Sequence, residues 1–214
     1  MLTIWDRRAR LYDFCESSEL RRGRHKAALF RDMVGRVLFV AVGTGVDIKH
    51  FPPGREIIAI DISEEMLRRA LARGRGYRGT LSLVHMDAMQ LSFPDASFDT
   101  IATSCTMCSV PDPVRVFREF HRVLRPGGKL LMFEHVRSRN PVLGLALDLM
   151  TLWTRRRGTE MNRDTLRNAA FAGFRISRVE SVYVDIILAV HAAKAERTQS
   201  ASTLSGKILA ESCI

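Results

Sequence analysis

The feature that most constrains the fold is a regular alternation of short apolar runs with amphipathic stretches, which begins at residue 36. This alternation is typical of βα units, in which helices join parallel strands and pack on the sheet. Five strands are predicted in this part of the chain, over residues 36–42, 56–61, 80–85, 98–104 and 129–136. The chain is therefore expected to form an α/β fold with a mainly parallel sheet.

Helix signals lie between these strands. Ser63 precedes an amphipathic run that has acidic residues in its first turn and arginines near its end, which suits an N-cap and the helix dipole. Residues 112–124 are predicted to form another helix, which ends before Pro126. Its expected buried face consists of Val116, Phe117, Phe120, Val123 and Leu124.

The last part of the fold is predicted from residues 162–194. A helix is expected over about 162–170, followed by two strands within 174–194 that pair antiparallel through the Glu180 and Ser181 region. With these strands the sheet has seven, and the last is antiparallel.

Size and composition indicate one globular domain. The chain has 214 residues, of which 46% are hydrophobic and 26% charged. We assign the domain to residues 1–195, with an N-terminal cap over 1–36 and a basic, apolar insert over 137–172. The polar, serine-rich tail over 196–214 is predicted to be disordered.

The net charge of +10 is concentrated in two segments. Residues 1–36 carry nine Arg and Lys against five Asp and Glu, and residues 137–178 carry nine against three. Because a basic surface attracts polyanions at long range, an acidic partner is expected, and anionic lipid, nucleic acid and acidic small molecules all qualify. Nucleic acid is disfavoured, since no basic groove interleaved with aromatic residues is evident.

No signal for membrane insertion or secretion is evident. No apolar stretch approaches the roughly 18 to 20 residues of a membrane span, and residues 1–13 lack the apolar run of a signal peptide. A cytoplasmic location is expected, with peripheral contact to the inner membrane face left open. The four cysteines indicate neither a disulfide framework nor a zinc site, and Cys105 and Cys108 are interpreted as small residues that line a pocket.

A glycine turn, VAVGTG over residues 40–45, follows the first strand. Gly43 and Gly45 would let the backbone approach a ligand, and the next helix would offer amide donors. Asp61 ends the second strand sixteen residues later, where a carboxylate can accept hydrogen bonds from ribose hydroxyls. Asp87, just past the third strand, is expected at the same edge near an adenine amino group. Together these residues predict a nucleoside site.

Position 48 separates two classes of nucleoside-binding protein. The dinucleotide fingerprint requires a small residue three positions beyond Gly45, and this chain has Ile48. A helix that binds a pyrophosphate would pack poorly with isoleucine there. S-adenosylmethionine (SAM) has no pyrophosphate, so SAM is favoured over a nicotinamide dinucleotide.

On these motifs the sequence resembles the class I, UbiE-like methyltransferases, also called methyltransferase type 11. VAVGTG resembles the first motif of the family, AIDIS its ribose motif, MDAMQLSFPDASFD its adenine and central motifs, and HRVLRPGG its helix-to-strand turn. The resemblance implies a Rossmann-like fold with helices on both faces of the sheet, SAM as cofactor and S-adenosylhomocysteine as product. The cofactor-binding residues that it implies are Ala41, Gly43, Thr44, Gly45, Asp61, Ile62, Met66, Asp87, Ala88 and Ser104.

Two positions depart from the family pattern. Phe39 stands where the family usually has an acidic residue that helps to hold the methionine end of SAM, and Ala41 stands where a glycine is common. Phe39 leaves open a second class of function, a SAM-binding protein without catalysis.

The resemblance implies an in-line displacement in which an acceptor atom attacks the sulfonium methyl group. The protein must align the reactants, exclude water and keep the nucleophile unprotonated. Tyr12 and His135 are the first candidates for catalytic residues, followed by Glu134 and Asp13. A hydrogen-bonded histidine at a strand end and a tyrosine that packs a helix are the structural alternatives.

The acceptor is predicted from weaker signals. CSVPD over residues 108–112 and FEHVRS over 133–138 look most like bacterial phospholipid N-methyltransferases and small-thiol methyltransferases. Residues 141–153 form an apolar stretch between arginines, as in segments that lie on a lipid surface. We therefore expect an amphiphilic acceptor, with phosphatidylethanolamine first and a thiol, another small molecule or a quinone precursor as alternatives.

Overall fold

All of the predicted strands are present in the structure, which is a computed structural model. It describes residues 4–12 and 19–195, but not a few of the side chains in the first two helices. The strands are β1 (Arg36–Val40), β2 (Glu56–Asp61), β3 (Thr80–His85), β4 (Phe98–Ser104), β5 (Leu124–His135), β6 (Phe174–Tyr183) and β7 (Ile187–Lys194). The helices are α1 (Ile4–Tyr12), α2 (Glu19–Phe30), α3 (Glu64–Gly74), α4 (Pro113–Val123), α5 (Pro141–Thr154) and α6 (Thr165–Phe171). Asp13 and the tail predicted over 196–214 lie outside the described residues.

The seven strands form one sheet in the order β3-β2-β1-β4-β5-β7-β6. Strands β1 to β5 run parallel, and β7 is antiparallel to both β5 and β6. This arrangement confirms the predicted sheet, including the antiparallel last strand. The chain order reverses between β1 and β4, and in open α/β sheets ligands bind at the carboxyl ends of the strands at such a point.

Buried residues pack on both faces of the sheet. One cluster includes the apolar face of α4, with Phe117 and Phe120 fully buried, and the other includes Phe30 of α2 and Ala70 of α3. The expected N-cap at Ser63 is present, since its hydroxyl accepts a hydrogen bond from the Met66 amide at 3.2 Å. Asp112, the first residue of the predicted helix, caps α4. The sheet is therefore covered by helices on both sides, as predicted. Among the described helices, none is long and apolar enough to cross a membrane.

Two local predictions were wrong. The glycine turn is followed by a five-residue 3₁₀ helix, Val46–His50, rather than an α-helix, because Phe51 is extended and two prolines follow it. The last hairpin turns at residues 184–186, not at Glu180 and Ser181. Asp185 holds this turn, since its carboxylate accepts hydrogen bonds from the Ser138 hydroxyl at 2.7 Å and the Arg139 amide at 2.6 Å.

Phe39 belongs to an aromatic cluster in the core. Its ring centroid lies 5.5 Å from that of Phe30 and 4.7 Å from that of Phe51, and its side chain is fully buried. Where the family usually has a carboxylate, this chain therefore has a ring that packs the sheet against α2.

Replacing Phe39 by Glu should lower the free energy of unfolding by about 3 to 5 kcal/mol at pH 7, because it places a charged carboxylate among aromatic rings. Phe39→Leu is the control, since it keeps the site apolar and should cost less, about 1 to 2 kcal/mol. Urea unfolding followed by circular dichroism compares the two. Equal losses would contradict the assignment of Phe39 to the core.

Candidate functional site

A cavity of about 580 Å³ opens at the carboxyl ends of the central strands. Its volume lies within the range of small-molecule and cofactor sites. The predicted cofactor residues that line it are Ala41, Gly43, Asp61, Ile62, Met66, Asp87, Ala88 and Ser104. His135, the candidate catalytic residue at the end of β5, also lines it. The fold thus brings together, in one cavity, residues that follow β1, β2, β3, β4 and β5.

Asp61 is the most constrained of these residues. Its Oδ2 accepts a hydrogen bond from the Gly43 amide at 2.8 Å, and its Oδ1 accepts one from the Ser63 amide at 2.9 Å. Burial raises the pKa of this carboxyl, although the two amide donors oppose the shift. Each oxygen has a further lone pair that can face the cavity, so the carboxylate can accept from two neighbouring hydroxyl groups.

The glycine turn has two different functions in the structure. Gly43 lines the cavity and has a left-handed backbone, with φ of 57°. Ala41 has a left-handed backbone as well, with φ of 56°, which explains why a glycine is common at this position in the family. Gly45 does not line it: a Cβ there would lie 2.8 Å from the Cα of Ala70, so this glycine lets α3 pack closely. Thr44 is fully buried beside it, with its carbonyl oxygen accepting from Arg73 at 2.6 Å. Thr44 and Gly45 are thus not among the residues that line the cavity, and their contact with the cofactor stays a prediction.

Asp87 lies at the carboxyl end of β3. Its Oδ1 accepts a hydrogen bond from the Met89 amide at 2.8 Å, which shapes the turn around Ala88. The Met86 amide donates to the Asp61 carbonyl oxygen at 3.0 Å, so the ends of β2 and β3 are joined there. This part of the cavity offers one carboxylate next to the side chains of Met86 and Met89.

Glu134 does not line the cavity but supports one of its walls. It is fully buried, and its carboxylate accepts hydrogen bonds from the Thr103 hydroxyl at 2.7 Å, the Thr106 amide at 3.1 Å and the Met107 amide at 3.0 Å. Burial raises the pKa of Glu134 to about 7, against the effect of these donors. Its position makes it a positioning residue for the loop after β4.

The two cysteines of that loop carry protonated thiols at neutral pH. Cys105 is half-buried, and desolvation raises the pKa of its thiol to about 12. The Cys108 thiol donates a hydrogen bond to the Cys105 carbonyl oxygen at 3.3 Å, and burial raises its pKa as well. Because thiolates are the nucleophilic and metal-binding form, both residues act as pocket lining. In the part of the chain that the structure describes, no group of three or more His, Cys, Asp or Glu is arranged to hold a metal ion.

His135 is held as a neutral imidazole. Burial, with a contribution from the nearby charge of Arg22, lowers its pKa to about 4. Its Nδ1 is buried and has no hydrogen-bond partner among the described residues. A neutral ring of this kind can accept a hydrogen bond from an N–H or O–H group in the cavity. Tyr12, the other candidate, is the last residue of α1, and its side chain lies outside the described part.

The sequence predicted an N-terminal cap over residues 1–36, but not which of its residues line the cavity, nor that the segment after α5 does. Ile4 and Trp5 of α1, Arg22 of α2 and the segment after α5 complete the lining. That segment, residues 158–161, is joined to the loop after β4, since the Glu160 amide donates to the Cys108 carbonyl oxygen at 2.7 Å. The arginines of 1–36 were noticed only as a charge excess, and no local motif marks Arg22 as a cavity residue.

Fold and cavity define a class: an α/β protein that binds a nucleoside cofactor at the switch point of its sheet. A family model described as a methyltransferase domain matches residues 38–132. The chain is 38% identical over 137 residues to a phosphatidylethanolamine N-methyltransferase from Cereibacter sphaeroides, a match that covers 62% of this chain and 67% of that protein. It is 36% identical over 119 residues to the ubiquinone/menaquinone biosynthesis C-methyltransferase UbiE from Hahella chejuensis, which covers 53% of this chain but only 48% of that protein.

Solved structures show the same fold. A SAM-dependent methyltransferase from Thermotoga maritima superposes with a TM-score of 0.66 at 20% identity, over 91% of this chain and 100% of that one. The chain belongs to the class I, UbiE-like methyltransferases, and SAM is its cofactor.

The described residues fit this cofactor. Asp61 offers buried acceptors for a pair of hydroxyls, and Met66, Ile62 and Met86 offer an apolar surface for a flat base. Where a dinucleotide fingerprint has its third small residue, the short 3₁₀ helix has the buried Ile48.

Replacing Asp61 by Asn should weaken SAM binding by about ten- to a hundredfold. The side-chain NH₂ of asparagine would face one of the two backbone amide donors, and the charged acceptor for the ribose hydroxyls would be lost. Isothermal titration calorimetry with S-adenosylhomocysteine measures the effect. Asp95→Asn, at an exposed carboxylate outside the cavity, is the control and should bind normally. Unchanged affinity in Asp61→Asn would contradict the ribose assignment.

Glu134 should make the protein less stable as pH rises. Below its ordinary pKa of 4.5 both folded and unfolded states keep the proton; between 4.5 and about 7 only the folded state keeps it, so the free energy of unfolding falls. Because Glu134→Gln cannot titrate, the difference in this free energy between wild type and variant should drop by about 3 kcal/mol from pH 4.5 to pH 8. Urea unfolding at several pH values tests this, and a pH-independent difference would refute it.

Proposed function

We propose that this protein transfers a methyl group from SAM to the amine of a phosphatidylethanolamine-type headgroup at an anionic membrane surface. The observation that carries the proposal is an exposed apolar helix, α5, which continues directly into the wall of the cavity. The similarity to the Cereibacter sphaeroides phosphatidylethanolamine N-methyltransferase supports it.

Helix α5 is unusual for a surface helix because it is apolar on almost every side. Only Gly144, Leu147 and Thr151 are buried. The exposed side chains include Val142 (75%), Leu152 (66%), Leu149 (60%) and Trp153 (55%). Contiguous exposed apolar surface of this kind marks a site of contact with a partner or a membrane.

Arginines lie at both ends of α5. Arg139 precedes it, and Arg155, Arg156 and Arg157 follow it as a short 3₁₀ helix, with the guanidinium of Arg157 3.6 Å from the ring centroid of Trp153. An aromatic ring paired with a cation suits the level of lipid headgroups, and each arginine near an anionic surface adds about 1 kcal/mol of attraction. The charge pattern therefore favours anionic lipid as the surface that α5 contacts.

The apolar helix and the cavity are connected through the chain. Directly after the three arginines, Gly158, Thr159 and Met161 line the same cavity as His135. A lipid whose acyl chains lie against α5 would present its headgroup to this opening. The headgroup amine would then meet His135 at the end of β5.

The residues of the cavity have distinct roles in the proposed reaction. SAM supplies the electrophilic methyl group. Asp61 and Asp87 hold the adenosine part, and the neutral His135 accepts a hydrogen bond from the attacking amine, which orients its lone pair. The segment after α5 and the residues of α1 exclude water from the reacting atoms.

Methylation of a quinone precursor is the second candidate, favoured by similar identity to the UbiE protein of Hahella chejuensis. An apolar surface beside the cavity would suit that lipid-soluble acceptor as well. The two candidates differ in the acceptor atom, which is an amine nitrogen in one and a ring carbon in the other. A SAM-binding protein without catalysis, the third, would show cofactor binding and no turnover with either.

The proposal predicts methylation of phosphatidylethanolamine in vesicles that also contain phosphatidylglycerol, with activity that falls as salt rises. Leu149→Glu should reduce vesicle binding and lipid methylation by about tenfold or more, because it adds a negative charge and removes an apolar side chain from the proposed lipid contact. Co-sedimentation and transfer of labelled methyl groups measure both effects.

The matched control is Leu71→Glu, which changes an equally exposed leucine (58%) on α3. It should leave vesicle binding and methylation unchanged, and both variants should bind S-adenosylhomocysteine normally. Labelling of a demethylquinone but not of the phospholipid would replace the phospholipid proposal by the quinone candidate.

A further inference from the structure

A single arginine faces the cavity from α2. Arg22 is the only Lys or Arg among the described residues that line the cavity. It forms no hydrogen bond or ion pair within the described part of the chain. Among the described residues, no carboxylate therefore pairs with this cation of the cavity.

The sheet order shows at which end of the cavity Arg22 lies. Asp61 and Asp87 follow β2 and β3, on one side of β1, whereas Cys105 and His135 follow β4 and β5, on the other. Burial raises the pKa of Cys105 and lowers that of His135, and in both cases the charge of Arg22 acts to lower the pKa, so the guanidinium lies at their end of the cavity. The cation and the buried Asp61 carboxylate thus occupy opposite sides of the switch point.

A buried ion pair one turn along α2 fixes the direction of Arg22. Lys26 is four residues further on, so the two side chains lie on the same face of the helix. The Lys26 ammonium is 2.7 Å from the Asp47 carboxylate, with both side chains 8% exposed, and it lies 5.4 Å from the centroid of the Phe133 ring. This pair anchors α2 against the sheet and aims the preceding turn at the cavity.

We propose that Arg22 binds the carboxylate of the methionine part of SAM. If Asp61 holds the ribose and Asp87 the adenine, both on the β2 and β3 side, the rest of the cavity left for the amino acid part lies on the β4 side, where Arg22 lies. A guanidinium binds a carboxylate through two parallel hydrogen bonds, which fixes orientation as well as position. In this chain Phe39 packs the core at the position where the family usually has an acidic residue, so the methionine end is held by a cation that recognises the carboxylate.

The experiment compares two ligands that differ in the amino acid part. S-adenosylhomocysteine has the carboxylate, and 5′-methylthioadenosine has the adenosine part without it. Arg22→Gln should lower the affinity for S-adenosylhomocysteine by about ten- to a hundredfold and leave that for 5′-methylthioadenosine unchanged in calorimetry. Arg22→Lys should retain part of the difference. Arg31→Gln, an exposed arginine beyond the end of α2, is the control with the same change of charge.

Three outcomes would overturn the proposal. Equal loss of affinity for both ligands would show that Arg22 only maintains the fold. Unchanged affinity for both would show that Arg22 does not contact the cofactor. Unchanged affinity together with a raised KM for phosphatidylethanolamine would assign Arg22 to the acceptor phosphate. Because binding is measured without acceptor, failure of the phospholipid proposal leaves this test unaffected.

Discussion

The rest of the site depends on the buried carboxylate of Asp61. It accepts one amide from the glycine turn after β1 and one from Ser63, the N-cap of α3. The Ser63 hydroxyl in turn donates to the Asp6 carboxylate of α1 at 2.5 Å. Asp61 therefore positions the glycine turn and the start of α3. Through Ser63 it is also connected to α1, which covers the cavity. Such a network holds the ligand groups before the ligand arrives, which lowers the entropic cost of binding.

The fold was predictable because local and global signals agree. Apolar runs of strand length, the Ser63 cap and the apolar face of α4 each indicate the observed element without knowledge of the others. The error at the last hairpin arose where a long-range contact decides. The hairpin turns where Asp185 meets Ser138 and Arg139 in the loop before α5, and nothing near Glu180 in the sequence reveals that contact.

The site was predictable only where it is built from strand ends. Asp61, Asp87 and His135 follow strands, so their common location follows from the parallel sheet. Gly45 fits the same motif but packs against Ala70, a contact that depends on how closely α3 approaches. Glu134, next to His135, points into the core because successive residues of a strand face opposite sides. Arg22 and residues 158–161 come from elements whose docking no local pattern describes.

The bond between the Glu160 amide and the Cys108 carbonyl oxygen joins the segment after α5 to the loop after β4 through main-chain atoms alone. Any residue except proline can supply such an amide. The side chains of this segment are therefore free to diverge between relatives while the wall stays attached to the cofactor-binding frame. In this arrangement the acceptor substrate can change through substitutions around the opening of the cavity, while the residues that bind the cofactor stay the same.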